Sequence, residues 1–192
     1  MKVVSLALFL SSALSLLPTI GCTPGKVTRE WSEEVALDDG RIITIDRYVA
    51  FRESNSWAGD AYNATEIRST ISFRGELSKL PDWDVPLIPI LLYKDASSDD
   101  WVVIATTSSC EIWSARGRPE PPYWEYRANP GGWRPASLST GAFGRKSNLF
   151  FTYEDKLPEK KITDAEKIRI REDTRIAIGY RMILEIEKSN CS

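Results

Sequence analysis

Histidine is missing altogether from this chain of 192 residues. Its absence removes the commonest general base, the usual zinc and copper ligand, and the side chain that titrates near neutral pH. Most hydrolytic mechanisms go with it. A charge excess is missing as well: 25 Lys and Arg against 27 Asp and Glu leave a net charge of -2. With no basic surplus to meet a phosphate backbone, nucleic acid is not an expected partner. The chain also lacks a phosphate-cradling G-x-x-x-x-G-K loop, a G-x-S-x-G elbow and any metal-ligand spacing. The sequence therefore assigns no catalytic residue, metal or cofactor. Two carboxylates suffice to cleave a glycosidic bond, and Glu111, Glu120 and Glu125 are available, but no spacing singles out a pair. What is present, 42% hydrophobic and 27% charged residues, is the composition of an ordinary globular domain.

The longest apolar run lies at the N-terminus. Residues 1 to 21 carry one charge, Lys2, followed by "VVSLALFLSSALSLL", the pattern of a secretory signal peptide. The run falls short of the ~20 apolar residues of a spanning helix, and Pro18 stops it. Next come Thr19, Ile20, Gly21 and Cys22. These four residues resemble the lipobox of bacterial lipoproteins, with Thr19 standing where leucine is usual. The resemblance implies that Cys22 carries acyl chains such as palmitate and becomes the new N-terminus. Losing Lys2 then takes the charge to 24 minus 27, or -3. Each buried methylene adds about 0.8 kcal/mol of membrane affinity. Thr23, in place of an acidic residue, resembles the signal for an outer-membrane destination facing the periplasm. The competing reading is ordinary secretory cleavage that leaves Cys22 a plain thiol.

Three cysteines cannot all pair within one chain. With Cys22 assigned to lipid, Cys110 and Cys191 remain in an oxidising compartment, where a disulfide between them is expected. Closing a loop of about 80 residues would stabilise the fold by roughly 4 kcal/mol in the chain-entropy model. Two separate buried thiols are the alternative.

Beyond the signal, residues 22–28 ("CTPGKVT") read as a tether and residues 29–192 as one mainly β domain, an antiparallel sheet or a sandwich or barrel-like meander. Asp39-Gly40, between two β-branched runs, predicts a type I′ hairpin joining strands at about 29–37 and 41–51. Residues 53–64 form a polar loop holding Trp57, Tyr62 and a chance glycosylation sequon at Asn63. In the next strand Ile67, Ser69, Ile71 and Phe73 alternate with a wet face of Arg68, Thr70, Ser72 and Arg74. Residues 77–89, with three prolines, read as irregular, and "ILLYKDASSDDWVVIATTS" as a hairpin whose aspartates serve the turn. A short strand at 123–127, a turn at 129–132 and an exposed charged stretch at 156–161 follow. Thr163 and Glu166 form a capping box that predicts a short helix at about 164–172. Residues 176–188 fit a strand, the preferred reading, or a helix face.

One region stands out chemically. Trp113, Tyr123, Trp124, Tyr126 and Trp133 cluster in sequence, interleaved with arginines. Aromatic faces rimmed by donors hold sugars or peptides, so these five form a candidate ligand surface; core packing is the competing reading. The "WSEEVALDDGRIITIDR" stretch, Cys110, "PPYWEYRANPGGW", Asn148-Leu149 and Cys191 together resemble a loose group of proteobacterial envelope proteins. That resemblance implies a fold and an address and carries over no functional residue. The expectation is a lipid-anchored envelope protein acting by binding or within an assembly. The alternative is a glycan-binding or carboxylate-dependent glycan-active protein using residues 113–133.

Overall fold

Alternating side-chain character decides the first three strands. In the computed structural model, which describes residues 26–53, 64–151, 160–173, 182–189 and 191, β1 (Lys26–Ala36) buries Trp31, Glu33 and Val35 and turns Glu30, Ser32 and Glu34 to the opposite face. β2 (Ile42–Glu53) buries Ile45, Arg47 and Val49, and β3 (Ala64–Phe73) buries Ser69, Ile71 and Phe73. A period of two gives each strand one dry and one wet side. With β4 (Trp83–Val85) and a late β9 (Lys161–Ile162) they form a five-stranded sheet in the order β4-β3-β2-β1-β9. Only β9 departs from antiparallel pairing in this sheet, running parallel to β1.

β5 (Ile88–Lys94), β6 (Trp101–Thr106), β7 (Trp124–Asn129) and β8 (Gly132–Ala136) make a second, four-stranded antiparallel sheet in chain order. β5 and β6 are buried along nearly their whole length, which explains their unbroken apolar runs: both faces of this sheet are covered. On one face Trp101, Val103 and Ala105 pack with Ile45, Ile71 and Trp83 of the first sheet. On the other, Val102 and Ile104 pack with Ala142, Phe150, Phe151 and Ile183. Burying each such large side chain contributes about 1.5–3 kcal/mol. The chain is thus mainly β, with two antiparallel sheets and a short helix near the C-terminus.

The two helices are set by their caps. Ser109 accepts the Ile112 N–H and starts α1 (Cys110–Ala115), which the sequence reading missed. At α2 (Asp164–Asp173) Thr163 Oγ1 accepts the Glu166 N–H at 3.2 Å, while Glu166 accepts the Thr163 N–H at 3.3 Å. That is the reciprocal capping box expected from sequence.

Several local expectations change. The first hairpin is not a two-residue type I′ turn: Leu37 N–H bonds to Arg41 C=O, leaving Asp38, Asp39 and Gly40 as a three-residue loop. Gly40 alone takes positive φ there (+81°), whereas a I′ turn needs it at both central residues. β1 begins at Lys26, so the last three residues of the expected tether are strand. Residues 77–89 are not wholly irregular, since β4 and the start of β5 fall inside them. Pro89 is tolerated because β5 is an edge strand whose register shifts between Pro89 and Leu91. Lys161 belongs to β9, and Ile162 beside it is fully buried. Of the 176–188 segment expected as a strand, residues 182–188 are described, and apart from a single bridge from Met182 to Lys146 they are irregular. Residues 1–25, which hold the expected signal sequence and Cys22, the loop residues Trp57, Tyr62 and Asn63, and residues 174–181 lie outside the described residues.

A polar seam joins the layers. The Asn148 side chain accepts Leu92 N–H at 2.9 Å and donates to Leu92 C=O at 2.8 Å and to Ala36 C=O at 2.9 Å, so one amide links β5 to β1. Two residues on, Phe150 N–H donates to Glu33 and Phe150 C=O accepts from Arg47. Lys167 of α2 reaches the same place, donating to Glu33 Oε2 at 3.3 Å, to Asn148 C=O at 2.6 Å and to Glu34 C=O. The side chains of Glu33, Arg47 and Lys167 are all fully buried. Charges removed from water at this depth are tolerated only when paired and hydrogen-bonded. Cys110 and Cys191 are bonded to each other, with their Cα atoms 5.3 Å apart, which ties the C-terminal segment to α1.

Candidate functional site

The five aromatic residues singled out by sequence do not share a surface. Trp113, Tyr123 and Tyr126 are buried, and each ring has a structural task. Trp113 Nε1 donates to Pro119 C=O at 3.1 Å, the Tyr123 hydroxyl bonds Glu187, and Tyr126 meets Trp83 edge to face at 5.8 Å. Trp133 stacks on Phe73 at 5.9 Å with its Nε1 on Pro81 C=O, and Trp124 packs against the core between the sheets. Tyr123 joins one core cluster while Tyr126 joins the other, so the run in sequence is divided by the second sheet. Among the carboxylates, Glu125 is buried with its oxygens taken by Arg127 and by the Ser139 N–H.

Among the described residues, a concave feature lies instead on the outward face of the first sheet. Register brings its polar residues into rows. Glu30 stands opposite Tyr48, Tyr48 opposite Thr70, and Thr70 opposite Asp84; in the next row Ser32, Asp46 and Ser72 are neighbours. Glu30, Ser32, Asp46, Tyr48, Ser72, Arg74 and Lys160 line a groove of about 480 Å³, floored by the strands at Trp31 and Arg47. A volume of that order accommodates a small ligand.

Local bonds hold the lining in place. Asp46 accepts the Ser32 hydroxyl at 2.6 Å and is bridged by Arg74 Nε. Lys160 is brought to the rim by β9: its C=O accepts Ser32 N–H at 2.8 Å, and its neighbour Lys161 pairs with Glu34 at 3.0 Å. The Lys161 hydrogen bond, seconded by the Asp164 N–H, holds the Glu34 carboxyl below the ordinary glutamate range. Arg68 forms a bidentate pair with Asp84 and stands 5.7 Å from the centre of the Tyr48 ring. By contrast, the Glu30 carboxylate, the Tyr48 and Ser72 hydroxyls, the Lys160 ammonium and the terminal nitrogens of Arg74 have no protein hydrogen-bond partner among the described residues.

Asp46 is tied on both oxygens, so Glu30 is the lining acid left open. Among the described residues no group of three or more Cys, Asp or Glu gathers as a metal site. Sequence reasoning found part of one wall: of the wet face Arg68, Thr70, Ser72 and Arg74, the last two line the groove. It missed Glu30, Ser32, Asp46 and Tyr48, whose own alternation carries the signal but whose juxtaposition depends on register. Comparison with models of protein families, with curated proteins and with solved structures finds no match.

Proposed function

We propose that this chain is a lipid-anchored protein of the bacterial cell envelope that acts by binding, as a receptor or as a component of an assembly. Acyl chains on Cys22 hold it to the outer membrane on the periplasmic side, and the groove of the first sheet faces the partner. The groove is the observation that carries the binding reading, because it gathers the Glu30 carboxylate, the Tyr48 and Ser72 hydroxyls and the Lys160 ammonium, which have no hydrogen-bond partner among the described residues. The address is supported by cysteine pairing: Cys110 bonded to Cys191 leaves Cys22 as the odd cysteine, directly after the apolar run. A glycan platform at residues 113–133 draws no support from rings that are mostly interior.

Metabolic labelling tests the anchor. Labelled palmitate is expected in the wild-type chain, recovered with the membrane fraction, and not in Cys22→Ser. Equal incorporation in both would sink the assignment.

A further inference from the structure

We infer that the free edge of β1 pairs with the same edge of a second copy of this chain, antiparallel and centred on Thr28. This rests on the reading of the chain as a component of an assembly and names the partner. Ser32 N–H donates to Lys160 C=O at 2.8 Å, so the Ser32 backbone groups point away from β2. By the alternation of a strand, the N–H and C=O groups of Lys26, Thr28 and Glu30 point the same way. β9 pairs only with Ser32 and Glu33, and among the described residues no backbone group meets Lys26, Thr28 or Glu30 on that side. Thr28 C=O accepts Arg29 Nη1 at 3.0 Å and keeps its second lone pair. A row of open backbone groups of this kind is a template for another strand.

Charge selects the occupant. Laid antiparallel against itself about Thr28, the stretch brings Lys26 opposite the partner's Glu30, Glu30 opposite the partner's Lys26, and Thr28 opposite the partner's Thr28. Lys26, Thr28 and Glu30 are all exposed, and opposite charges directly across a strand pair attract. The pairing makes about six new backbone hydrogen bonds. Its register also fits the length available, since Lys26 opens β1 and Glu30 is the last edge residue before β9 takes Ser32. Sliding two residues one way sets Arg29 against the partner's Arg29; sliding the other way puts Lys26 opposite the partner's Thr28 and leaves Glu30 beyond the start of the partner's β1. The contact is the same patch on both copies, so it closes as a dimer and joins the two first sheets into one. A contact this short stands at the small end of interfaces, and a monomer–dimer equilibrium follows. The partner's Lys26 is then level with Glu30, a residue of the groove lining.

Oxidative cross-linking of the full chain in intact cells, with copper phenanthroline and the wild type as background, tests this. Thr28→Cys is expected to give a disulfide-linked dimer, because residues facing each other in this pairing have Cα atoms about 5.5 Å apart. Lys26→Cys or Glu30→Cys alone leaves the introduced thiols four residues out of step, about 14 Å apart, and is expected to cross-link at least fivefold less. Chains with Lys26→Cys co-expressed with chains carrying Glu30→Cys should cross-link at least threefold more than either alone. Adding Lys26→Glu to Thr28→Cys is expected to weaken the cross-link at least threefold, and adding Glu30→Lys as well to bring it back. All three positions are exposed, and recovery of the Cys110–Cys191 bond checks that each variant has folded. Equal yields at the three positions, no yield above the wild type, Thr28→Cys linked to a different protein, or a charge exchange without recovery would each overturn the inference. Palmitate labelling is read separately: cross-linking without acylation refutes the anchor and keeps the dimer, whereas acylation without cross-linking refutes the dimer and keeps the anchor.

Discussion

Arg47 Nη1 donates to Glu33 Oε1 at 2.5 Å with both side chains fully closed off from solvent. The pair lies on neighbouring strands, and the Trp31 ring centre is 5.2 Å from the same guanidinium. Lys167 faces the same carboxylate, so removing Glu33 leaves two buried cations uncompensated. Glu33→Met is therefore expected to destabilise the fold by about 3–5 kcal/mol, measured by urea unfolding. A loss below about 1 kcal/mol, the range of exposed pairs, would show that water reaches the pair.

Asn148 does the work of a short strand with one side chain. Asn148→Ala strands Leu92 N–H and two carbonyls, an expected loss of about 2–4 kcal/mol for the set. Asn148→Asp keeps the acceptor for Leu92 N–H but has no donors for Leu92 and Ala36 C=O. It is expected to be at least as damaging at neutral pH, and a stability equal to wild type in either variant would refute the bridging role.

The Cys110–Cys191 bond closes a separation of 81 residues. The chain-entropy model gives about 4.5 kcal/mol for a loop of this length. Non-reducing peptide mapping is expected to recover the two cysteines linked, and reduction to lower the unfolding midpoint sharply. Two free thiols in the native protein would contradict the pairing.

Asp95 gives a pH signature. Hydrogen bonds from the Ser97 hydroxyl and N–H, then from Arg127, pull its pKa from 3.8 down to about 2. A carboxyl depressed by folding contributes stability that is complete above its unfolded pKa and fades as pH falls through the folded one. The contribution is therefore expected whole above pH 4 and lost between about 4 and 2. Asp95→Asn should shallow the acid limb of a stability curve in that window; superimposable limbs would remove Asp95 from the account.

Much of this was readable in the sequence, for a local reason. The strand alternation, the Thr163–Glu166 cap and the loop chemistry of Asp95 are set by neighbours along the chain. The groove was half readable: the outward face of β3 was plain, but Glu30 meets Tyr48 only through pairing register. Glu33 sits between Trp31 and Val35 on the dry face of β1. Its partners Phe150 and Lys167 are 117 and 134 residues away, and no local pattern points to them. The aromatic run misled because a strand sends successive rings to opposite sides of a sheet, so closeness in sequence became separation in space.

The reach from Glu33 to Lys167 also sets an order of events. A chain synthesised from its N-terminus presents β1 early, yet the ion pair from α2 to β1 waits for a lysine 134 residues later. Contacts of such long range are slow to form. Until α2 arrives, Glu33 and Arg47 have water for company and the first sheet lacks its β9 edge. The contacts that complete the β1 edge are thus supplied by β9 and α2, in the last quarter of the sequence.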